Sequence, residues 1–379
     1  MPAAEPASPP PVDPSLRVVR IVIEGLFDQF THDIPLNQTD RVTVLHGPNG
    51  VGKTKVMEMV KGALTHDGRP FESVPFTRLV VEFSNGTKST TLRNDKGQLL
   101  GQNLSKLPCL LVETQRLLRF KASQFAIEPG EGRILPRVNE VAAGMLERFI
   151  EVMSAYGRES QALDRSYPQR VIAKGKGPIL SADALTAKLA ALEATQKELQ
   201  GLGLLDPGDV APPDLSSLES LNETERRAMT LYVTDTEKKL SVLSDFAARL
   251  RLFLRVTPQF LRKRLRFDRQ EGLKVETEAG RSLKLDLLSS GEQHQLVLNY
   301  ELLFATKPNT LVLIDEPELS LHVSWQKRLL PNLIAIAKLS QIDIVVGTHS
   351  PFVIGDRADL MVALGGEADR YVGGDGEAA

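Results

Sequence analysis

The sequence predicts an α/β fold: a mixed sheet with flanking helices, assembled from both ends of the chain and interrupted by a helical insertion. Three observations predict it. Short apolar runs at 42–45, 311–314 and 342–346 have the length and composition of strands that are buried on both faces. A glycine-rich loop and then helical spacing follow the first run. Apolar residues recur at heptad spacing between residues 185 and 254, which indicates helices in the middle of the chain.

The composition excludes several classes of protein. The 379 residues carry a formal net charge of −2, so no global field favours nucleic acid or a membrane surface. A single cysteine, Cys109, excludes an internal disulfide and a four-cysteine zinc site, and fits the reducing cytoplasm. No apolar run approaches the ~18 residues of a membrane span. The proline- and alanine-rich composition of residues 1–15 predicts a disordered leader. Residues 361–379 are expected to form a flexible tail.

The stretch that follows the first apolar run predicts a phosphate-binding loop. It reads G-P-N-G-V-G-K-T, a full match to G-x-x-x-x-G-K-[ST]. Glycines let successive backbone N–H groups turn inward, and a helix N-terminus adds partial positive charge. We expect Lys53 to reach the β- and γ-phosphates of ATP and Thr54 to bind Mg²⁺. The predicted nucleotide-binding residues are Gly47, Pro48, Asn49, Gly50, Val51, Gly52, Lys53 and Thr54.

An acidic pair ends the second apolar run. Asp315 and Glu316 come directly after it, where the carboxyl ends of parallel strands open toward a site. Asp315 is expected to hold Mg²⁺ or its water. Glu316 is expected to polarise an attacking water, as general base or as orienter. Such a pair also occurs in ordinary polar loops, and the phosphate-binding loop in the same chain favours the functional interpretation.

Residues 288–293, Leu-Ser-Ser-Gly-Glu-Gln, begin a predicted helix, because Ser289 and Glu292 have capping-box spacing. A capped helix alone would explain them. The hexapeptide also resembles the signature sequence of ABC-type ATPases, in which the usual pattern is Leu-Ser-Gly-Gly-Gln. In that family the signature helix points at the γ-phosphate bound by the opposite subunit. The resemblance implies that Ser289, Ser290, Gly291 and Glu292 act on a second copy of the chain.

Two further residues match ABC-type motifs by position. Gln115, after the apolar run at 109–112, resembles the glutamine loop that senses Mg²⁺ and the attacking water. His349, after the third run, resembles the switch histidine that contacts the γ-phosphate. The resemblance implies an ABC-type P-loop ATPase head with Glu316, His349 and Gln115 as catalytic residues, and with Thr54, Gln115 and Asp315 around Mg²⁺.

The interval between Gln115 and Ser289 is 174 residues, much longer than the compact subdomain of ABC transporter subunits. A long insertion is typical of SMC-like ATPases. The resemblance therefore divides the chain into an N-terminal head lobe at 16–120, a helical insertion at 121–264 and a C-terminal head lobe at 265–360. Leu185, Leu189, Leu192 and Leu199 predict one helix, and a heptad pattern from Val233 to Leu254 predicts a second. Packing of these helices on each other is favoured over a dimerising coiled coil.

The E-P-E-x-S-L-H stretch at 316–322 resembles OLD-type ATPases and their relatives in prokaryotic defence systems. Those proteins continue into a Toprim nuclease domain, for which the 30 residues after His349 leave no room. We therefore expect a separate effector protein and a regulatory ATPase that forms a homodimer or larger homo-oligomer around ATP. A RecF- or SMC-like DNA-repair ATPase is the alternative, and a transporter ATPase subunit is disfavoured by the long insertion.

Residues 249–269 contain eight basic side chains and one acidic side chain. Such a run can follow a phosphate backbone. It can equally form a solvated face that pairs with Glu219, Glu223 and Glu225 on a neighbouring helix. The phenylalanines within it fit core packing better than base stacking. Contact with nucleic acid through the Arg249–Arg269 region and contact with a partner protein both stay open, and no membrane partner is expected.

Overall fold

A computed structural model describes residues 16–94, 99–102, 107–113, 137–172, 179–206, 221–261, 263–319 and 321–365. The chain forms two compact units. Unit 1 combines Met1–Glu131 with Glu301–Ala379, and unit 2 is Gly132–Tyr300. The predicted leader at 1–15 and Gln115 lie outside the described residues.

The N-terminal part of unit 1 holds seven strands and two helices within the described residues. The strands are β1 (Val18–Leu26), β2 (Phe30–Pro35), β3 (Val42–His46), β4 (Arg78–Phe83), β5 (Lys88–Arg93), β6 (Leu99–Gln102) and β7 (Cys109–Glu113); the helices are α1 (Lys53–Thr65) and α2 (Arg69–Glu72).

Unit 2 follows with helices and a small sheet. Its elements are α3 (Arg137–Ile172), α4 (Ala182–Gly201), α5 (Glu223–Ser241), α6 (Ser244–Val256), β8 (Arg264–Asp268), β9 (Gly272–Glu276), β10 (Ser282–Leu283) and α7 (Ser290–Tyr300).

The chain then returns to unit 1. After a π-helical segment at Glu301–Ala305 come β11 (Leu311–Asp315), α8 (Val323–Ser340), β12 (Asp343–Thr348), α9 (Pro351–Ile354) and β13 (Met361–Ala363).

Unit 1 contains an antiparallel sheet and a parallel sheet. The antiparallel sheet has the order β2-β1-β4-β5-β6, and the parallel sheet has the order β13-β3-β12-β11-β7. Every residue of β12 is buried, as are the first four residues of both β3 and β11. These are the apolar runs of the sequence, so the predicted α/β fold with central strands buried on both faces is confirmed.

The end of unit 1 differs from the predicted tail. The tail was expected to begin at 361, but Met361–Ala363 form β13 and pair in parallel with β3. The next residue, Leu364, is buried, and its N–H donates to the carbonyl of His46 at 2.8 Å. The apolar segment is held because it completes one edge of the sheet and shields that end of the core.

The helices of unit 2 pack on one another through the predicted apolar positions. Leu185, Leu189, Leu192 and Leu199 of α4 are buried, and so is Val233 of α5. The second predicted helix is divided, however, because α5 ends at Ser241 and α6 begins at Ser244. The guanidinium of Arg170 on α3 also pairs with the buried Asp235 on α5 through two hydrogen bonds of 2.6 Å.

Unit 2 extends beyond residue 264, where the sequence places the end of the insertion. Phe149 of α3, Phe246 of α6 and Phe267 of β8 form one aromatic cluster with ring centroids 5.1–6.4 Å apart. A Cβ atom on Gly272 would lie 2.0 Å from the carbonyl oxygen of Ala142, so β9 and α3 are in very close contact. Residues 265–300 therefore belong to the same compact unit as α3, a grouping that depends on contacts distant in sequence.

Candidate functional site

Three central strands of unit 1 end side by side. The register pairs Asp315 of β11 with Gly347 of β12, and Thr348 of β12 with His46 of β3. The strands are parallel, so the loops that follow them leave from one edge of the sheet. That edge is where open parallel sheets place ligand sites.

The loop after β3 has the backbone that the sequence motif predicts. Gly50 and Gly52 have φ angles of 89° and 97°, in the left-handed region that favours glycine. Gly52 also has no room for a side chain, because a Cβ atom there would lie 2.6 Å from Cδ2 of Leu26. Helix α1 begins at Lys53, directly after this turn. A glycine-rich turn that leads into a helix N-terminus is an anion-binding arrangement.

Lys53 is folded over this loop. Its Nζ donates to the carbonyl oxygens of Gly47 at 2.6 Å and Pro48 at 3.1 Å, and the residue is only 6% exposed. Burial is the largest influence on the pKa of Lys53 and lowers it below its usual value. The negative charges of Glu316 and Asp315 act in the opposite direction but do not outweigh burial. The ammonium group is therefore placed above the loop and faces negative charge on the neighbouring loop.

Thr54 and Asp315 meet although 261 residues separate them. The hydroxyl Oγ1 of Thr54 donates to Oδ2 of Asp315 at 2.6 Å. Burial raises the pKa of Asp315 above its usual value, although the hydrogen bond from Thr54 acts in the opposite direction. A hydroxyl and a carboxylate oxygen in contact are the hard ligands that Mg²⁺ prefers, so the donor set fits this ion.

Glu316 has an unusual backbone conformation. Its φ angle is 46°, and its N–H donates to the carbonyl of Gly347 at 2.8 Å. Its carboxylate Oε1 lies 3.3 Å from Nδ1 of His349. A left-handed φ at a residue other than glycine concentrates at functional sites. The structure thus brings together two predicted catalytic residues, one directly after β11 and one directly after β12.

Glu318 was not among the predicted site residues. Its side chain is 4% exposed, and its Oε1 accepts a hydrogen bond from Oγ1 of Thr348 and lies 3.7 Å from Nδ1 of His349. The only sequence signal was its place in the E-P-E stretch, which does not reveal burial. A second carboxylate therefore lies close to His349.

A cavity of about 550 Å³ adjoins the glycine-rich loop. Two phenylalanines from the β1–β2 turn line it together with the loop backbone. Phe27 has a φ of 57°, a strained conformation for a bulky residue that lies in a tight turn. The lining residues are Phe27, Gln29, Phe30, Pro48, Asn49, Gly50, Val51 and Gly365. Aromatic rings beside a phosphate-binding loop provide a surface for stacking a flat heterocycle.

The predicted signature residues lie at the start of α7 in unit 2. Ser289 N–H donates to Oε2 of Glu292 at 2.8 Å, which is the predicted capping contact. Ser289 and Ser290 are exposed, whereas Gly291 and Glu292 are buried. Oε1 of Glu292 forms an ion pair with Nζ of Lys263 at 2.6 Å. The Glu292 carboxylate is therefore occupied within unit 2, and Ser289 and Ser290 are the signature side chains that remain accessible.

Comparison with known proteins agrees with this geometry. Residues 196–355, less than half of the chain, match the family described as "AAA domain, putative AbiEii toxin, Type IV TA system". That stretch contains the signature segment, the acidic pair and His349. The glycine-rich loop after β3 lies outside the matched stretch, and the acidic pair after β11 lies inside it. The α/β architecture and this partial family match agree with the predicted ABC-type P-loop ATPase head.

Two SMC heads are among the solved structures that are similar to this chain. The Pyrococcus furiosus Smc head domain with an extended coiled coil, bound to the C-terminal domain of ScpA, is 13% identical with a TM-score of 0.43. The alignment covers 92% of this chain and 93% of that chain. The SMC head domain from Thermotoga maritima is 15% identical with a TM-score of 0.37, over 92% and 94% of the two chains. No curated protein matches the sequence.

The basic run at 249–269 is largely paired within unit 2. Of its side chains, five form ion pairs with acids: Arg249 with Asp245, Arg251 with Glu198, Lys263 with Glu292, Arg266 with Glu276, and Arg269 with Asp206. One of the open interpretations named Glu219, Glu223 and Glu225 as pairing acids. Glu223 instead pairs with Arg227, Glu225 accepts from the N–H of Asn222, and Glu219 lies outside the described residues. Phe253 and Phe260 are fully buried, as expected for core residues.

Within the described ranges, none of the helices combines the length and apolarity that crossing a membrane requires.

Proposed function

We propose that the protein binds and hydrolyses ATP with Mg²⁺ and acts as a dimeric switch in which two heads enclose two nucleotides. The observation that carries this proposal is the convergence at one sheet edge of the Lys53 loop, the Thr54–Asp315 pair and the Glu316–His349 pair. Each of the three has a distinct role in phosphoryl transfer, and no separate structural need unites them.

The chemistry assigned to the site is attack of water on the γ-phosphorus. The backbone N–H groups of the loop and Nζ of Lys53, released from the carbonyls of Gly47 and Pro48, would hold the β- and γ-phosphates. Glu316 would orient or deprotonate the water, and the bond to the β–γ bridging oxygen breaks to leave ADP and phosphate. Mg²⁺, held by Thr54 and Asp315, would neutralise charge on the phosphates. The base of the nucleotide would stack in the cavity beside Phe27 and Phe30.

The dimer is proposed from the resemblance to ABC-type ATPases and from the exposure of Ser289 and Ser290 at the tip of α7. Each tip would contact the γ-phosphate bound by the other protomer, in an isologous two-fold arrangement. Loss of the γ-phosphate removes that contact and opens the dimer. Gln115 is proposed to sense Mg²⁺ and the attacking water.

The biological role proposed is regulation of a separate effector in a defence module. It is supported by the family match, whose description names the AbiEii toxin of a Type IV toxin–antitoxin system, and by the OLD-like E-P-E segment. The alternative is a DNA-repair ATPase that binds DNA through residues 249–269. The ion pairs that engage five side chains of this run favour the first role.

Nucleotide binding is tested with Lys53→Ala. A charge-assisted hydrogen bond is worth about 1.5–3 kcal/mol, so loss of two such bonds weakens ATP binding by about a hundredfold or more. Lys61→Ala, at the far end of the same helix, is the control and is expected to bind ATP as the wild type does. Undiminished ATP binding by Lys53→Ala in calorimetry would show that the loop is not a nucleotide site.

Dimerisation and role are tested with Glu316→Gln. This variant binds ATP but does not hydrolyse it, so we expect a dimer in sizing chromatography with ATP while the wild type returns to monomer. Identical elution of variant and wild type with ATP argues against the switch. The trapped variant also serves as bait: capture of a nuclease or toxin encoded beside this chain supports the defence role, and capture of DNA supports the alternative.

A further inference from the structure

Two side-chain hydrogen bonds connect the end of β12 and the loop after it with residues that follow β11, one in the loop and one in α8. Thr348 Oγ1 donates to Oε1 of Glu318, and Ser350 Oγ donates to Oε1 of Gln326 at 2.8 Å. Thr348 Oγ1 in turn accepts from the backbone N–H of Ser350 at 3.0 Å. These bonds lie on either side of the switch histidine, so its backbone is held while its ring stays half exposed.

Glu318 is a buried carboxylate with an incomplete set of donors. Its Oε1 has the Thr348 hydroxyl, whereas its buried Oε2 has no hydrogen-bond partner among the described residues. Buried carboxylates are costly unless their oxygens receive hydrogen bonds or face a positive charge. A threonine hydroxyl on one oxygen is modest compensation, so the carboxylate as a whole can accept a further donor in another state of the site.

The ring of His349 is the nearest candidate donor. Its Nδ1 lies 3.3 Å from Oε1 of Glu316 and 3.7 Å from Oε1 of Glu318. Only one of these distances is within reach of a hydrogen bond. The two carboxylates also differ in freedom, because Glu316 is partly exposed and Glu318 is held by Thr348.

We propose that Glu318 is a positioning residue for His349, and that its fixed carboxylate accepts the Nδ1–H of His349 when Glu316 turns toward water. The ring then keeps Nδ1 protonated and presents Nε2 in a constant direction, toward the phosphate side of the sheet edge. Without Glu318, the Nδ1–H would lose its acceptor at the moment when Glu316 is engaged, and the ring would be free to rotate or change tautomer.

This inference rests on the proposed function, because a hand-over between carboxylates has a purpose only if Glu316 acts on water. Its first test is a double-mutant cycle between Glu318→Gln and His349→Ala, read as steady-state ATP hydrolysis. In Glu318→Gln the amide oxygen can still accept from Thr348, but the negative charge that attracts the Nδ1–H of His349 is lost and an NH₂ group replaces the second oxygen. We expect kcat to fall about ten- to a hundredfold with KM for ATP unchanged, as for a misplaced catalytic group.

In the His349→Ala background, the same Glu318→Gln change is expected to lower kcat by less than about twofold, because the group it positions is gone. Glu82→Gln, an isosteric change at an exposed pair with Lys88, is the control and keeps wild-type kcat. Equal losses in both backgrounds would overturn the proposal and make Glu318 a structural residue only. Unchanged kcat in Glu318→Gln would overturn it as well.

Thr348 provides a second route if Glu318→Gln does not fold. Thr348→Ser keeps the hydroxyl that holds Glu318 and is expected to retain kcat to within about threefold, whereas Thr348→Val removes it and is expected to lower kcat about tenfold. Equal kcat in the two variants contradicts the proposal.

A measurement without hydrolysis separates this inference from the proposed function. Nitrogen-15 NMR of the His349 ring, in nucleotide-free protein, reports which ring nitrogen carries the proton. In Glu316→Ala, Glu318 is the remaining acceptor, so Nδ1–H is expected to persist; in Glu316→Ala with Glu318→Gln it is expected to be lost. The same tautomer in both proteins overturns the inference. If the wild type hydrolyses no ATP, the proposed function is wrong. The NMR result then decides by itself whether Glu318 accepts the Nδ1–H of His349.

Discussion

Glu292 stands where the ABC signature usually has glutamine, and replacing it with glutamine is expected to destabilise this protein. The reason is the buried ion pair with Lys263, in which Nζ and Oε1 are 2.6 Å apart and the side chains are 21% and 6% exposed. Glutamine at the same position still accepts the Ser289 hydrogen bonds of the capping box. Glu292→Gln therefore removes the charge and keeps the cap.

Removal of one partner from a fully buried ion pair costs about 3–5 kcal/mol. Because Lys263 is about one-fifth exposed and keeps part of its hydration, we expect a smaller loss of about 2 kcal/mol in the free energy of unfolding. That corresponds to roughly a thirtyfold change in the folding equilibrium. Lys263→Met combined with Glu292→Gln removes both charges and is expected to recover at least about half of the loss.

The assay is urea denaturation of the full chain, followed by circular dichroism in the far ultraviolet at pH 7. Burial, the largest single influence, raises the pKa of Glu292, but the hydrogen bonds from Lys263 and Ser289 together outweigh it and lower the pKa. A carboxyl group whose pKa is lower in the folded than in the unfolded state stabilises the fold at pH values above its ordinary pKa of 4.5. This stabilisation is lost as pH falls through the folded-state pKa. The gap between wild type and Glu292→Gln is therefore expected to close below pH 4.5. Equal stability of the two proteins at pH 7 would refute the reasoning.

Three further predictions concern stability. Burial lowers the pKa of His294 from 6.5 to about 4. The free energy of unfolding of the wild type is therefore expected to fall by up to about 3 kcal/mol as pH drops from 6.5 to 4. Urea titrations at several pH values are expected to show that His294→Leu lacks this pH-dependent loss. Gly50 and Gly52 both have a left-handed φ, but a Cβ atom on Gly52 would also meet Leu26 at 2.6 Å, whereas one on Gly50 meets nothing within 4 Å. We expect thermal unfolding to show that Gly52→Ala is less stable than Gly50→Ala by about 1–3 kcal/mol. Equal stability of the two variants would contradict the steric argument. Asp343→Asn leaves the half-buried Arg17 without its bidentate partner and is expected to cost about 2 kcal/mol in urea denaturation, with a loss below about 0.5 kcal/mol counting against the pair.

The parts of the site that sequence predicted depend on local patterns. Gly50, Gly52 and Lys53 are neighbours in the chain, and a glycine-rich turn before a helix requires those residue types wherever it occurs. Asp315 and Glu316 follow an apolar run that can only be a buried strand, so their edge of the sheet was predictable too. Their catalytic and binding roles remain predictions for the experiments above.

Other features could not be predicted because they depend on contacts between distant residues. The acids that pair with the basic run, among them Glu198 and Glu292, could not be chosen from the sequence, since charge composition does not specify which surfaces meet. The tail prediction failed at Met361 because a three-residue strand exists only when a sheet edge is available to pair with it. The 264 boundary missed the contact between Gly272 and Ala142, which no periodicity reveals.

The sequence by itself determined that the chain is an α/β protein with a glycine-rich turn between a strand and a helix, because the strand, turn and helix around Gly52 are specified by adjacent residues. Only the tertiary structure decided what the acids do. It buries Glu318 against Thr348 and His349, and it pairs Glu292 with Lys263. The physical reason is that the behaviour of a carboxylate depends on its desolvation and on the donors around it, and folding supplies both from segments far apart in the chain.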